Sequence, residues 1–245
     1  VQPADPVELW DSEPFRAVER GECLHARGAS DMKSGLVAMI YAVVALRETG
    51  ALRHGRIGLA FVPDEETGGG LGSQFLAEKG LLGKNGIGML TPEPTGGVVW
   101  NANRGAISMQ VTVTGKAAHV GLQHLGRNAF EHMLVVARGL QKIKAAVESR
   151  KTKFRIRPPR AAHSILMLGG RVQGGSNFNL VPAVCSFTLD RRFNPEEDFE
   201  TEMTRLATFF ESMRRRGIAL EVRLLQEGRA AGTSEKGRLA EALAQ

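Results

Sequence analysis

Aromatic residues are scarce in this chain, 6% of the total with a single tyrosine, and cysteine occurs only twice, at Cys23 and Cys185. Two thiols in separate segments give neither a disulfide framework nor a CxxC metal pair, which predicts two reduced thiols in a cytoplasmic protein. No uninterrupted apolar run approaches the ~20 residues that a membrane span requires, and no signal-peptide pattern opens the chain, so no membrane partner is expected. Internal repeats and low-complexity segments are missing as well. The first residue is valine rather than methionine, as in a processed chain or a fragment. What remains is 245 residues, 42% hydrophobic and 24% charged. That is globular composition, with length for one large domain or two modest ones.

The formal charge of +6 raises the question of nucleic acid. "SRKTKFRIRPPR", 149–160, carries six Lys or Arg and no acid, and accounts for the excess by itself. Its Pro-Pro, and the lack of aromatics beyond the lone Phe154, mark a solvated connection, with a basic rim that steers anionic substrates as the second reading. No nucleic-acid partner is expected.

Residues 31–49, "DMKSGLVAMIYAVVALRET", read as a helix apolar almost all round, started by Asp31 and stopped by Gly50. Such a helix belongs buried against a sheet. "RIGLAFVPD", 56–64, and "GIGMLTPEP", 86–94, read as short strands with the helix "SQFLAEKGLL" between them. That rhythm predicts an α/β domain with a mostly parallel sheet, whose ligands gather beyond the carboxyl ends of its strands. From about residue 105 the pattern changes. "AISMQVTVTG", "GRNAFEHMLVVARGLQKIKAAVE", "HSILMLGGRVQGG", "NLVPAVCSFTLDRR", "PEEDFETEMTRLATFFESMRRR" and "IALEVRLL" give the order βαββαβ of a ferredoxin-like sandwich. The predicted domains are therefore 1–104, an α+β module at 105–223, and a return into the first domain at 224–245.

Four acids stand where the predicted sheet meets its loops: Asp31, Glu65, Glu66 and Glu93. Carboxylates gathered in one place repel one another and lose hydration, which raises their pKa values and costs stability. A divalent cation, or two sharing a bridging carboxylate, removes that penalty. Adjacent Glu65 and Glu66 on an extended segment face opposite ways, so one could bind metal while the other stays free as a base, unless a turn brings both toward one cavity.

The motifs "HARGASDMKSG", "DEETGG", "TPEPTGG", "GKAAHVGL", "GRNAFEHM" and "NLVPAVCSFTLDRR" together resemble the M20 metallopeptidases, the group of acetylornithine deacetylase, succinyl-diaminopimelate desuccinylase, aminoacylase and carboxypeptidase G2. They occur in the family's order across nearly the whole chain. The resemblance implies two zinc ions per subunit, with cobalt or manganese as substitutes. It gives Asp31 the bridging position, Glu66 and Glu93 the terminal metal ligands, and Glu65 the general base and acid. It also implies that His119 donates to the oxyanion in a partner subunit's site, and that Asn179 and Arg192 grip the substrate's carboxylate or carbonyl. Arg191 competes with Arg192, since only one of two adjacent strand residues can face a cleft. His25, His54, His124, His132 and His163 show no metal spacing and are expected to be structural or exposed.

Further implied are a small N-acyl amino acid or dipeptide as substrate, and a homodimer paired through the smaller module. The family's H-x-D motif would precede "VQPAD" and its last histidine ligand would follow Gln245, so the sequence is expected to be truncated at both ends. Both zinc-ligating imidazoles are then absent. Two functions compete: a zinc-dependent amidohydrolase, and a non-catalytic remnant that binds or dimerises.

Overall fold

The computed structural model describes residues 6–83 and 85–244; "VQPAD", Lys84 and Gln245 lie outside the described residues. The chain forms two compact units, Val1–Trp100 with Glu235–Gln245, and Asn101–Ser234.

The first unit contains the antiparallel pair β1 (Val18–Arg20) and β2 (Cys23–His25), helices α1 (Ser34–Glu48) and α2 (Ser73–Glu78), and a short helix near the end of the chain. Several expectations are corrected here. The segments 56–64 and 86–94 form no strand, and no parallel pair occurs among the described residues. An apolar run shows only that a segment favours burial, whereas a strand also needs a neighbour to take its N–H and C=O groups. These two segments have none, and Phe61 and Met89 are exposed. α1 buries no residue, contrary to the buried helix expected, and the segments 56–64 and 86–94 expected to pair into a sheet against it form no strand.

The stretch Ala29–Glu48, at 20 residues and a mean hydropathy of 1.4, is long and apolar enough to cross a membrane by length and composition. The expectation that no stretch approaches that length is corrected on this count. The regular helix within it is shorter, because Asp31 and Met32 leave helical φ/ψ. Its 15 residues span about 22 Å at 1.5 Å per residue, against a hydrocarbon core of ~30 Å.

The second unit follows its sequence pattern closely. A short ladder of β3 (Ala102–Asn103) leads into β4 (Gly105–Thr114), α3 (Ala129–Glu148), β5 (Ile165–Gly174), β6 (Val184–Phe193), α4 (Phe199–Arg215) and β7 (Leu220–Gly228). β8 (Ala231–Gly232) pairs with β3, and Thr233 N donates to Asn101 O. This extra ladder draws residues 101–104 and 229–234 into the unit, beyond the seams expected near 105 and 223. The four long strands form one antiparallel sheet in the order β5-β6-β4-β7. Helix α5 (Arg238–Leu243) then lies in the first unit.

Period-two alternation decides which side chains enter the core. From β4, Ile107, Met109, Val111 and Val113 are buried, and from β6 Cys185, Phe187, Leu189 and Phe193. They share one cluster with Met133, Val136 and Leu140 of α3 and Leu206, Phe210 and Met213 of α4. Both helices begin at capping side chains. Asn128 accepts from Phe130 N and Glu131 N, and Asp198 accepts from Thr201 N at 2.9 Å.

A buried charged pair, Arg191 and Glu202, is built into this unit. Arg191 is 1% exposed; its Nε donates to Glu202 at 2.9 Å, and its Nη2 pairs with Glu197. Arg150 and Arg205 pair with Glu202 from the solvent side, and Ser164 and Asn194 N donate to Glu197. Arg150 is therefore part of a folded ion network, a correction to its reading as one of six solvated cations. Burial pushes Glu202 up, but hydrogen bonds from Arg150 and Arg191 and their charges outweigh it, leaving the carboxyl below its ordinary value of 4.5. Burial likewise raises Glu197, and Ser164, Asn194, Arg150 and Arg191 together lower it further than burial raises it.

Carboxyls with depressed folded pKa values stabilise above the unfolded value and lose that contribution as pH falls through the folded value. Acid unfolding of the second unit is therefore expected to begin below about pH 4.5. Glu202→Gln is expected to cost about 3 kcal/mol at neutral pH by leaving Arg191 with Glu197 alone, and to flatten the acid limb. Urea titrations at several pH values check both.

Candidate metal and catalytic site

The N-terminus of α1 meets the 91–95 segment at a contact only glycine permits. A Cβ on Gly35 would lie 2.1 Å from Pro92 O. This approach brings Asp31, three residues before the helix, toward Glu93, one residue past Pro92. Glu65 and Glu66 sit in a 3-10 turn, Glu65–Thr67, closed by Gly68 at φ +100°. Three residues per turn place successive side chains about 120° apart instead of the 180° of an extended strand. The turn thus removes the objection that the two glutamates must face opposite ways.

The charges of Asp31 and Glu66 act on both Glu65 and Glu93. Partial desolvation raises Glu65 above its ordinary 4.5, and the charges of Glu66 and Asp31 raise it further. Glu93 is also raised, by desolvation first and then by Asp31, Glu65 and Glu66. Glu65 retains exposed surface, so its desolvation is incomplete. In charge and donor type the four match a divalent cation, which favours carboxylate oxygen and would relieve their repulsion. Their present spacing is looser than a coordination shell: among the described residues, no three His, Cys, Asp or Glu side chains are grouped to hold a metal ion.

In the second unit, His119 and Asn179 stand side by side. His119 pairs with Leu180, Val120 N donates to Asn179 O at 2.9 Å, and Val181 N donates to Ala118 O at 2.8 Å. His119 Nδ1 accepts from Gly121 N at 3.2 Å. In the neutral ring this leaves the proton on Nε2, as an outward donor. Arg192 lies far from this pair. Along β6, eight residues separate it from Val184, about 26 Å at 3.3 Å per residue, and Asn179 lies further on. Within one protomer, Asn179 and Arg192 do not close on a single small group.

The competition between Arg191 and Arg192 is resolved by alternation. Arg191 faces the core, and Arg192 the opposite side of the sheet. There Arg192 donates Nε and Nη2 to Asp190 at 2.6 and 3.0 Å, and Asp190 also accepts from Ser108 Oγ at 3.1 Å. This leaves Arg192 Nη1 available for a second carboxylate. Both cysteines are free thiols. Gly35 is absent from the candidate residues read from sequence, because nothing local marks a glycine in an apolar helix as a point of close approach.

Gly35→Ala is expected to displace Pro92 and carry Glu93 away from Asp31. The upward shift of the Glu93 carboxyl should shrink toward 4.5, the ordinary value. NMR titration of side-chain carboxyl carbons in parent and variant checks this.

The model of peptidase family M20/M25/M40 matches residues 1–245. Among curated relatives, a probable succinyl-diaminopimelate desuccinylase of Staphylococcus aureus (strain MRSA252) is 30% identical over 214 residues, covering 81% of this chain and 52% of its own length. A succinyl-diaminopimelate desuccinylase of Leptothrix cholodnii is 33% identical over 134 residues, covering 52% of this chain and 35% of its own length. The chain spans about half the length, or less, of these curated relatives. Of solved structures, the M20 family metallo-carboxypeptidase Sso-CP2 from Sulfolobus solfataricus aligns with a TM-score of 0.77 at 17% identity, over 99% of this chain and 65% of its own. The dipeptidase Dug1p from Saccharomyces cerevisiae aligns with a TM-score of 0.68 at 16% identity, over 99% of this chain and 62% of its own. At these identities the two structures speak for the fold alone.

Proposed function

We propose that this chain, which belongs to peptidase family M20/M25/M40, serves a divalent-metal-dependent amide hydrolase that releases an acyl group from an N-acyl amino acid or cleaves a small dipeptide. The observation that carries the reading is that the charges of Asp31 and Glu66 act on both Glu65 and Glu93 within one unit, raising carboxyls already partly desolvated. The curated relatives are named desuccinylases, which favours an acylated amino acid over other amides.

Asp31 would bridge two metal ions, with Glu66 and Glu93 as terminal ligands; zinc fits this oxygen set, and cobalt or manganese could replace it. When bound, the ions would supply Lewis acidity and make water a nucleophile near neutral pH. Glu65 would hold the proton taken from the attacking water and pass it to the leaving nitrogen. Its raised pKa suits that exchange, since a carboxyl of ordinary acidity gives a proton back poorly. His119 offers its Nε2–H as a donor to the oxyanion of a tetrahedral intermediate, in the site of a second copy of the chain. Arg192 would take a substrate carboxylate on its free Nη1 edge, and Asn179 would hydrogen-bond a carbonyl. Because Asn179 and Arg192 are far apart in one protomer, a homodimer is part of this reading. A cytoplasmic setting belongs to it too.

A second reading is a remnant that binds or dimerises without catalysis, favoured by the loose spacing of the acids. Zinc-loaded protein, assayed against N-succinyl and N-acetyl amino acids and dipeptides, separates the two. Glu65→Gln is expected to lower kcat by about 10²–10⁴-fold while metal content, measured by mass spectrometry, stays at the parent level. Undiminished hydrolysis in that variant would remove Glu65 from its role; a parent protein with neither zinc nor hydrolysis would favour the remnant.

A further inference from the structure

Asp64 immediately precedes the acid pair and is bonded in two directions. Its backbone carbonyl accepts from Thr67 N at 3.2 Å, Gly69 N at 2.9 Å and Thr67 Oγ1 at 3.1 Å, closing the turn that carries Glu65 and Glu66. An aspartate at the start of a helical turn ordinarily spends its carboxylate on the first amides of that turn. This one does not. Its Oδ2 accepts instead from Leu71 N at 2.8 Å and Gly72 N at 3.1 Å, seven and eight residues ahead. The glycine-rich return is thereby sewn to the base of the turn.

The fit around this carboxylate is close. A Cβ on Gly72 would lie 2.1 Å from Asp64 Oδ1 and 2.7 Å from the Val62 Cβ. Oδ1 itself is buried and has no hydrogen-bond partner among the described residues. A carboxylate held with one oxygen unsatisfied is a poor device for stability alone, because the desolvated acceptor works against the bonds made by the other oxygen. What the arrangement does achieve is geometric. The turn cannot rotate without breaking two charge-assisted bonds from backbone amides.

We infer that Asp64 is a positioning residue, which aims Glu65 and Glu66 by clamping the 68–72 return onto their turn. This rests on the reading of Glu65 as proton carrier. Asp64 touches neither substrate nor reacting atoms; it acts through its neighbours.

The test compares Asp64→Ala with Asp64→Asn in the intact, zinc-loaded protein. Asparagine keeps an oxygen for the two amides, and alanine keeps none. Asp64→Ala is expected to lower kcat by about 10–100-fold with KM within about threefold, and Asp64→Asn to restore most of the loss. Hydrogen exchange at Leu71 and Gly72 should quicken in the alanine variant only. Parent-like kcat in Asp64→Ala, or a loss that asparagine does not rescue, would overturn the inference. Should Asp64→Ala fail to fold, Gly72→Ala presses on the same carboxylate, and parent-like kcat there would count equally against it. If Glu65→Gln abolishes hydrolysis and Asp64→Ala leaves it intact, only the positioning role falls. If the parent itself hydrolyses nothing, the functional reading falls and takes this role with it.

Discussion

The ladder between β4 and β6 is the constraint on which the second unit depends. Ten consecutive pairs, from Gly105↔Phe193 to Thr114↔Val184, run without a slip. β4 has β7 on its other edge, and β6 has β5, so the two central strands spend their backbone groups on both sides. That register fixes the face of every residue it contains. A slip of one would turn Ile107, Val111, Phe187 and Leu189 out and Ser108, Thr112 and Asp190 in. The irregularities are confined to the outer pairs, between Ser108 and Met109 against β7 and between Leu168 and Val172 on β5.

The same register places the charges. Arg191 falls on the core side, where Glu197 and Glu202 pair with it. Arg192, one residue on, falls on the other face and pairs with Asp190. Identical side chains with neighbouring numbers thus have unrelated surroundings, one in the interior and one on the outer face of the sheet. The opposite logic governs the first unit, where like charges are brought together. Partial burial raises the carboxyls of Glu65 and Glu93, and the charges of Asp31 and Glu66 raise both further. Perturbed carboxyls of this kind are the feature on which the proposed metal-dependent function rests.

Much of this was legible along the chain. Strict alternation in "AISMQVTVTG" and a 3.6-residue apolar period in "AFEHMLVVARGLQKIKAAVE" are local properties, and local properties are what a sequence displays. The acids could be singled out because each stands beside a glycine, a proline or a change of hydrophobic pattern. Less legible were the segments 56–64 and 86–94. Their apolar character is genuine, but a strand exists only with a neighbour, and neighbours are not encoded within nine residues. α1 misled in the same manner: its composition states a preference for burial and not whether anything covers it.

The sequence by itself determined the element order of the second unit, the candidate acids and the family, since all of these follow from residue type and short-range spacing. Only the tertiary structure decided that Arg191 is interior and Arg192 is not, that Asn179 stands with His119 instead of with Arg192, that Gly35 meets Pro92, and that Asp64 binds the amides of Leu71 and Gly72. These outcomes depend on which backbone atoms approach across tens of residues. Excluded volume and long-range hydrogen bonds settle such approaches, and neither has a signature in local order.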